Sequence, residues 1–194
     1  MTLAEKARTL LEEWVQSPSL RTHCEAVASC MRFFAQQRDA DADTWEAVGI
    51  LHDMDYERYP NPDLDETGHP YIAVAYLREQ GWDEAICRAI LSHANYTGVE
   101  RTTPMERVLF AVDELSGFVT AVALVRPDRN IASVKVSSVS KKLKDKAFAA
   151  KVNRSDIAQG AVELGLPLEQ LIQQVLHAMQ QDAEKLGLNG STSD

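Results

Sequence analysis

The chain has 194 residues, of which 45% are hydrophobic and 25% are charged, a composition typical of a globular protein with a substantial core. The formal net charge of −9 repels nucleic-acid backbones, and no basic stretch is interleaved with aromatic residues, so we expect no nucleic-acid binding. The longest apolar stretch, residues 118–125, is too short to span a bilayer, and no secretory signal precedes the first charged residues, so we expect no membrane association.

The number and setting of the three cysteines indicate free thiols and not disulfides. Cys24, Cys30 and Cys87 are an odd number, widely spaced and set among apolar residues. We interpret them as reduced core thiols of a cytoplasmic protein. Because no C-x-x-C pair is present, we do not expect thiolate coordination of a metal.

Apolar residues recur at helical spacing in the first part of the chain, which predicts three helices. The first covers about residues 2–16. The second begins after Ser17, a good N-cap followed by proline, and covers about residues 18–38. Asp43 is the expected cap of a third, short helix over residues 44–53.

Two more helices are predicted after a loop with two prolines. The loop continues into an acidic run, and residues 59–66 either lie over the mouth of any site or form a solvated surface loop. His69 lies at the start of the fourth helix, which covers about residues 70–80. Asp83 caps the fifth helix, which ends near His93.

The next helix has a specific start signal. Thr103 and Glu106 form a capping box with Pro104 at the first helical position. Further along, one helical face carries Leu109, Val112, Asp113 and Ser116. A carboxylate on an apolar face costs free energy unless it is paired, hydrogen-bonded or bound to a metal, so Asp113 is a candidate ligand. The alternative is that Asp113 is a carboxylate on the helix surface next to Glu114.

The last third of the chain differs in charge. Six lysines lie between residues 135 and 151, and this stretch is either a solvated helix face or a rim that attracts phosphate. Two helices are predicted over residues 154–164 and 168–186, and residues 187–194 are expected to form a frayed tail. We find no repeat and no strand pattern, so the expected fold class is all-α.

Four of the five histidines form a series with two aspartates, and each member lies on or at the end of a predicted helix. The series is His23, His52, Asp53, His69, His93 and Asp113. Imidazole nitrogens and carboxylate oxygens suit one or two divalent metal ions (Mn, Fe, Co, Ni or Zn) but do not choose among them. The alternative interpretation is that a histidine such as His23 is a hydrogen-bonded core residue. His177 lies outside the series, and we interpret it as structural.

The order H…HD…H…H…D resembles the HD-domain superfamily of metal-dependent phosphohydrolases over about residues 19–118. Residues 49–51 before the His-Asp pair are a typical setting for that motif. The layout of residues 69–113 is similar to that of small bacterial HD hydrolases that cleave dinucleoside polyphosphates. The resemblance implies a single-domain helical bundle of the HD type, with residues 1–130 as the metal-binding core and residues 131–194 as accessory helices of the same domain.

The resemblance also implies a set of ligands. One metal would be held by His23, His52, Asp53 and Asp113. Asp53 can bridge to a second metal held by His69 and His93. If only one metal binds, His69 and His93 would instead face the phosphate as hydrogen-bond donors or as a general acid. Asp53, His69 and His93 are thus the catalytic residues that the resemblance implies.

The expected function is hydrolysis of a phosphomonoester or phosphoanhydride of a nucleotide or another small phosphorylated metabolite. Metal-activated hydroxide would be the nucleophile. Two alternatives use the same residues: a diiron oxygenase of the HD fold, and a non-catalytic regulatory protein that binds metal or nucleotide. Glu57 and Lys135 are further site candidates by proximity and charge alone. A homodimer is expected only because it is the commonest state of soluble oligomers.

Overall fold

The computed structural model describes residues 1–190. The α-helices in this range are α1 Leu3–Trp14, α2 Pro18–Gln36, α3 Ala42–Leu51, α4 Tyr71–Glu79, α5 Glu84–Ser92, α6 Pro104–Leu124, α7 Val136–Leu143, α8 Arg154–Leu164 and α9 Leu168–Gln181. Residues 1–190 contain no strand beyond an isolated bridge between Asn130 and Asn189, so the all-α prediction is confirmed. None of the helices described there is both long and apolar enough to cross a membrane.

The chain divides into two compact units within α6. The first unit is residues 1–110, and the second starts at Ala111. This division falls inside a continuous helix, before residue 130, at which we placed the end of the metal-binding core. The assignment of residues 1–130 and 131–194 to core and accessory helices of one domain stays a prediction.

In the first unit, α2 and α3 approach each other closely at a glycine. A Cβ atom on Gly49 of α3 would lie 2.6 Å from the Cα atom of Ala28 on α2. Only glycine allows this approach without a shift of one backbone. The crossing fixes the C-terminal end of α3 against α2, and these two helices position His52 and His23.

Several caps agree with the sequence-based expectations. The Ser17 side chain accepts a hydrogen bond from the Leu20 N–H, and Pro18 occupies the first position of α2. The Asp83 carboxylate accepts a hydrogen bond from the Ala85 N–H at the start of α5. These residues satisfy main-chain donors that a helix leaves without an internal partner, so the boundaries were readable from local sequence.

The predicted role of Asp43 as a cap of the third helix is wrong. The N-cap of α3 is Asp41, whose carboxylate accepts the Asp43 N–H. The Asp43 carboxylate instead accepts hydrogen bonds from the N–H groups of Leu3 at 2.7 Å and Ala4 at 3.1 Å. Asp43 therefore joins the start of α1 to the start of α3, a partner 40 residues away that local sequence does not reveal.

The capping box at the start of α6 is confirmed, and its carboxylate is buried. Glu106 is 1% exposed, and its Oε2 accepts the N–H groups of Thr102 at 2.6 Å and Thr103 at 2.8 Å. Its Oε1 lies 2.8 Å from Nε of Arg88 on α5. Burial alone raises the pKa of Glu106, but the main-chain hydrogen bonds and the nearby guanidinium together hold it below its usual range.

In the second unit, the end of the described chain is packed. Helix α9 ends at Gln181, earlier than predicted. The Leu188 side chain is 1% exposed, and its carbonyl accepts the Ile131 N–H at 2.8 Å. The prediction of a frayed tail is therefore wrong for residues 187–190, and residues 191–194 lie outside the described residues.

The lysine-rich stretch contains a short helix, α7, whose bounds we did not predict. The Val139 side chain of this helix is buried, whereas five of the six lysine side chains are exposed. The Lys142 ammonium lies 4.5 Å from the centroid of the Phe148 ring, a cation–π contact. The phosphate-attracting role of residues 135–151 stays a prediction.

Candidate metal centre

The first unit brings five members of the predicted series together. His23 lies on α2, His52 ends α3, Asp53 follows it, His69 lies two residues before α4, and His93 ends α5. His52 is 0%, His69 5% and His93 7% exposed. Buried imidazoles so close to one carboxylate point to a built site, since buried polar groups require partners.

Asp53 lies between two pairs of histidines. In the first pair, the Nε2 atoms of His23 and His52 are 3.2 Å apart. Asp53 Oδ2 lies 3.7 Å from His23 Nε2 and 3.6 Å from His52 Nε2. In the second pair, the Nε2 atoms of His69 and His93 are 3.3 Å apart, and Asp53 Oδ1 lies 3.3 Å and 3.6 Å from them. Each carboxylate oxygen therefore faces one pair.

Main-chain carbonyls select the tautomer of two rings. His52 Nδ1 lies 2.8 Å from the carbonyl oxygen of Gly49, and His93 Nδ1 lies 2.5 Å from that of Ile90. A carbonyl oxygen only accepts, so each Nδ1 must carry the proton. In the neutral ring the lone pair is then on Nε2, which faces the cluster, and this is the form that binds a metal.

Next to Nδ1 of His69 lies a buried carboxylate, where His52 and His93 have a main-chain carbonyl. His69 Nδ1 lies 2.7 Å from Oδ1 of Asp55, which is 0% exposed. Asp55 Oδ2 accepts the Ala73 N–H at 2.8 Å. Asp55 was not among the candidates predicted from the sequence; the signal that could have identified it is its position two residues after Asp53.

The charges of these carboxylates act on His69. Burial lowers the pKa of the His69 ring. The hydrogen bond to Asp55 and the negative charges of Asp53 and Asp55 raise it, and together they outweigh burial. The pKa of His69 therefore lies above its ordinary value, and in the absence of metal the ring retains its second proton to a higher pH than a free imidazole.

The donor set fits divalent metal ions. Nitrogen ligands about 2.1 Å from a tetrahedral metal are about 3.4 Å from one another. The separations within the two pairs, 3.2 Å and 3.3 Å, agree with that spacing. Nε2 lone pairs that point at one another repel unless a proton or a cation lies between them. Asp53, His69 and His93 in particular offer ligand atoms that all lie within 4.8 Å of one another.

The loop before α4 is hydrogen-bonded to the main chain of His69. The His69 N–H donates to the Tyr59 carbonyl at 2.8 Å. The His69 carbonyl accepts from Asn61 Nδ2 at 2.8 Å and from the Tyr96 hydroxyl at 2.6 Å. Burial, the largest effect, raises the pKa of Tyr96 to about 12, so the hydroxyl remains a donor at neutral pH. That residues 59–66 cover the mouth of the site stays a prediction.

The remaining candidates have varied surroundings. The exposed Glu57 carboxylate accepts the N–H groups of Ser17 and Gln16, each at 2.9 Å, and these bonds hold its pKa below the usual range. Glu57, which follows α3, is therefore hydrogen-bonded to the main chain between α1 and α2. Asp113 lies on α6 in the second unit, and its ligand role stays a prediction. The same holds for Lys135, which precedes α7.

Taken together, the helices and the histidine-aspartate cluster define an all-α protein with a candidate site for divalent metal ions. The family model of the HD domain matches residues 20–117, half of the chain. The chain belongs to the HD-domain family, which lies in a superfamily of metal-dependent hydrolases, and the resemblance seen in the sequence is confirmed. Comparison with curated proteins and with solved structures found no significant match.

Proposed function

We propose that the protein is a metal-dependent phosphohydrolase that cleaves a phosphomonoester or phosphoanhydride of a nucleotide or another small phosphorylated metabolite. The observation that carries the proposal is the position of Asp53, which turns one carboxylate oxygen to each of two histidine pairs. Two-metal sites that share a ligand are a recurrent means of cleaving phosphate esters, because they contact both the attacking and the leaving oxygen.

The histidines and aspartates of the cluster would form two sets of ligands, one for each of two cations. Asp53 would bridge them, with His23 and His52 on one side and His69 and His93 on the other. The family pattern adds Asp113 as a ligand on the His23 side. When bound, divalent cations supply hydroxide at neutral pH and neutralise charge on the phosphate.

The chain's own contribution is orientation and charge. Main-chain carbonyls and the Asp55 carboxylate hold three rings with Nε2 turned to the cluster, so no reorientation is needed when a phosphate enters. If a single cation occupies the His23 side, His69 and His93 remain available to donate hydrogen bonds to phosphate oxygens. The two separate pairs favour the arrangement with two cations.

A phosphate-release assay tests the proposal. The substrates would be nucleotides, dinucleoside polyphosphates and sugar phosphates, each with Mn²⁺, Co²⁺, Ni²⁺ or Fe²⁺ added. Asp53→Ala serves as the blank. Asp43→Ala, which removes a carboxylate of α3 that binds the start of α1, serves as the matched control. Release by the wild type and the control but not by the blank is expected. Equal release by Asp53→Ala would contradict the proposal.

Other results of this experiment would favour one of two alternative functions. Iron-dependent turnover that stops without O₂ would assign the protein to the diiron oxygenases. Purification without chelator that yields no bound metal, together with no release from any substrate, would favour a non-catalytic regulatory protein.

A further inference from the structure

Asp55 is a buried carboxylate whose two oxygens have different partners. Its side chain is 0% exposed. Oδ1 lies 2.7 Å from His69 Nδ1, and Oδ2 accepts the N–H of Ala73, in the first turn of α4, at 2.8 Å. A carboxylate without contact to water costs free energy unless such partners are present, so both contacts are needed to keep it in place.

His69 differs from the other two buried rings in how its tautomer is set. His52 and His93 each use the carbonyl of the residue three positions earlier, which the end of a helix supplies. His69 lies in the loop before α4, and its main chain is fixed by Tyr59 and Asn61. Those bonds hold the backbone, and the polar contact at ring atom Nδ1 comes from Asp55.

We propose that Asp55 is a positioning residue that fixes the Nδ1-protonated tautomer of His69 and thereby sets the affinity of the His69–His93 pair for a divalent cation. This inference rests on the metal centre of the proposed function. An ionised carboxylate only accepts hydrogen bonds, so with Asp55 behind the ring the proton of neutral His69 is on Nδ1. Nε2 then presents a lone pair to the side of the cluster that holds His93 and Asp53 Oδ1.

The isosteric change Asp55→Asn separates this role from simple packing. An amide has one accepting oxygen and one donating NH₂ group, so it cannot accept from both the His69 ring and the Ala73 N–H. If the oxygen accepts from Ala73, the NH₂ group faces Nδ1 and favours the tautomer with the proton on Nε2. That tautomer cannot bind a metal through Nε2. If the amide is reversed, its NH₂ group faces the Ala73 N–H.

The test is Mn²⁺ binding to the full chain, measured by calorimetry and by metal content after gel filtration. We expect the wild type to bind two ions and Asp55→Asn to bind one of them about 10- to 100-fold more weakly, as for other carboxylates behind a ligand histidine. Asp43→Asn is the matched control, because the Asp43 carboxylate, in the first turn of α3, also accepts two main-chain N–H groups but contacts the start of α1 and not the histidine pairs. It should bind both ions as the wild type does.

Two results would overturn the inference. If Asp55→Asn binds both ions with wild-type affinity, the positioning role of Asp55 is contradicted but the proposed metal centre is not. If the wild type binds no Mn²⁺, both the role of Asp55 and the metal centre are contradicted. If Asp55→Asn does not fold, ¹⁵N NMR of the metal-free wild type decides, at a pH where His69 is neutral. A proton on Nδ1 is expected, and a proton on Nε2 would contradict the proposal.

Discussion

The two sides of Asp53 are built from different kinds of structure. On one side, His23 and His52 lie on α2 and at the end of α3, two helices that touch at Gly49. On the other side, His69 lies in a loop, and its position depends on hydrogen bonds with the side chains of Asn61 and Asp55. The first side is therefore set by helix packing, whereas the second combines the end of α5, which places His93, with a polar network around His69. Mutations should therefore affect the two sides separately.

The largest effect should come from the residue common to both sides. Asp53→Ala removes the oxygen that faces each pair, so we expect it to lose both metal ions and at least about 100-fold in phosphate release. Circular dichroism should show an unchanged helix content, because Asp53 lies after α3. Retention of either ion at wild-type affinity would show that Asp53 does not bridge the two sides.

Removal of a histidine from one side of Asp53 should abolish binding of the metal ion on that side and leave the other ion bound. His52→Ala and His93→Ala are each expected to bind one Mn²⁺ ion per chain, and the remaining ion should be on the opposite side of Asp53. The measurement is metal content after gel filtration, with His177→Ala, on α9, as the control. Loss of both ions in either variant would mean that the two sides do not bind independently.

A change at the helix crossing should act mainly on the first side. In Gly49→Ala the new methyl group meets the backbone of Ala28, so we expect a loss of about 1–3 kcal/mol in the free energy of unfolding. The ion between His23 and His52 should bind more weakly, while the other is retained. Urea unfolding in EDTA and Mn²⁺ titration measure the two effects.

Gly81→Ala provides the comparison for that variant. Its Cβ would have no neighbour within 4 Å, but its φ of +75° is unfavourable for alanine and should cost about 1 kcal/mol. We expect Gly81→Ala to lower stability without a change in Mn²⁺ binding. A similar weakening of one ion in both variants would indicate a general loss of stability and not a change at the crossing.

The smallest predicted effect is the pH dependence of stability that comes from the Glu106 carboxylate, which contacts Arg88 on α5. Because the pKa of Glu106 is lower in the folded state, its charge stabilises the fold above the unfolded pKa of about 4.3, and this contribution is lost as the pH falls through the lower folded pKa. Glu106→Gln should therefore cost about 2 kcal/mol at pH 7 and less near pH 3. Urea unfolding at both pH values tests this, and an equal cost at the two values would contradict it.

The sequence reveals the parts of this site that depend on local signals. Ser17, Asp83 and the Thr103–Glu106 capping box mark helix ends because their partners lie within a few residues. Helix ends in turn place histidines such as His52 and His93. The all-α fold was predictable for the same reason, whereas membership in the HD family was predictable from the order of the histidines and aspartates along the chain.

The parts that could not be predicted depend on contacts between distant residues. Asp43 bonds to the start of α1, although the sequence suggests a helix cap. Asp55 bonds to His69 and Ala73, although it looks like an ordinary acidic residue in the sequence. Leu188 is buried in what reads as a polar tail. Local propensity carries no information about such pairings, which only the packed chain brings together.

The most direct measurement is the number and position of metal ions in crystals of the protein loaded with Mn²⁺, located by anomalous diffraction. The account predicts two ions, one beside Asp53 Oδ2 with His23 and His52, and one beside Oδ1 with His69 and His93. A single ion, or none in this cluster, would contradict the assignment of Asp53 as the residue that joins two metal sites.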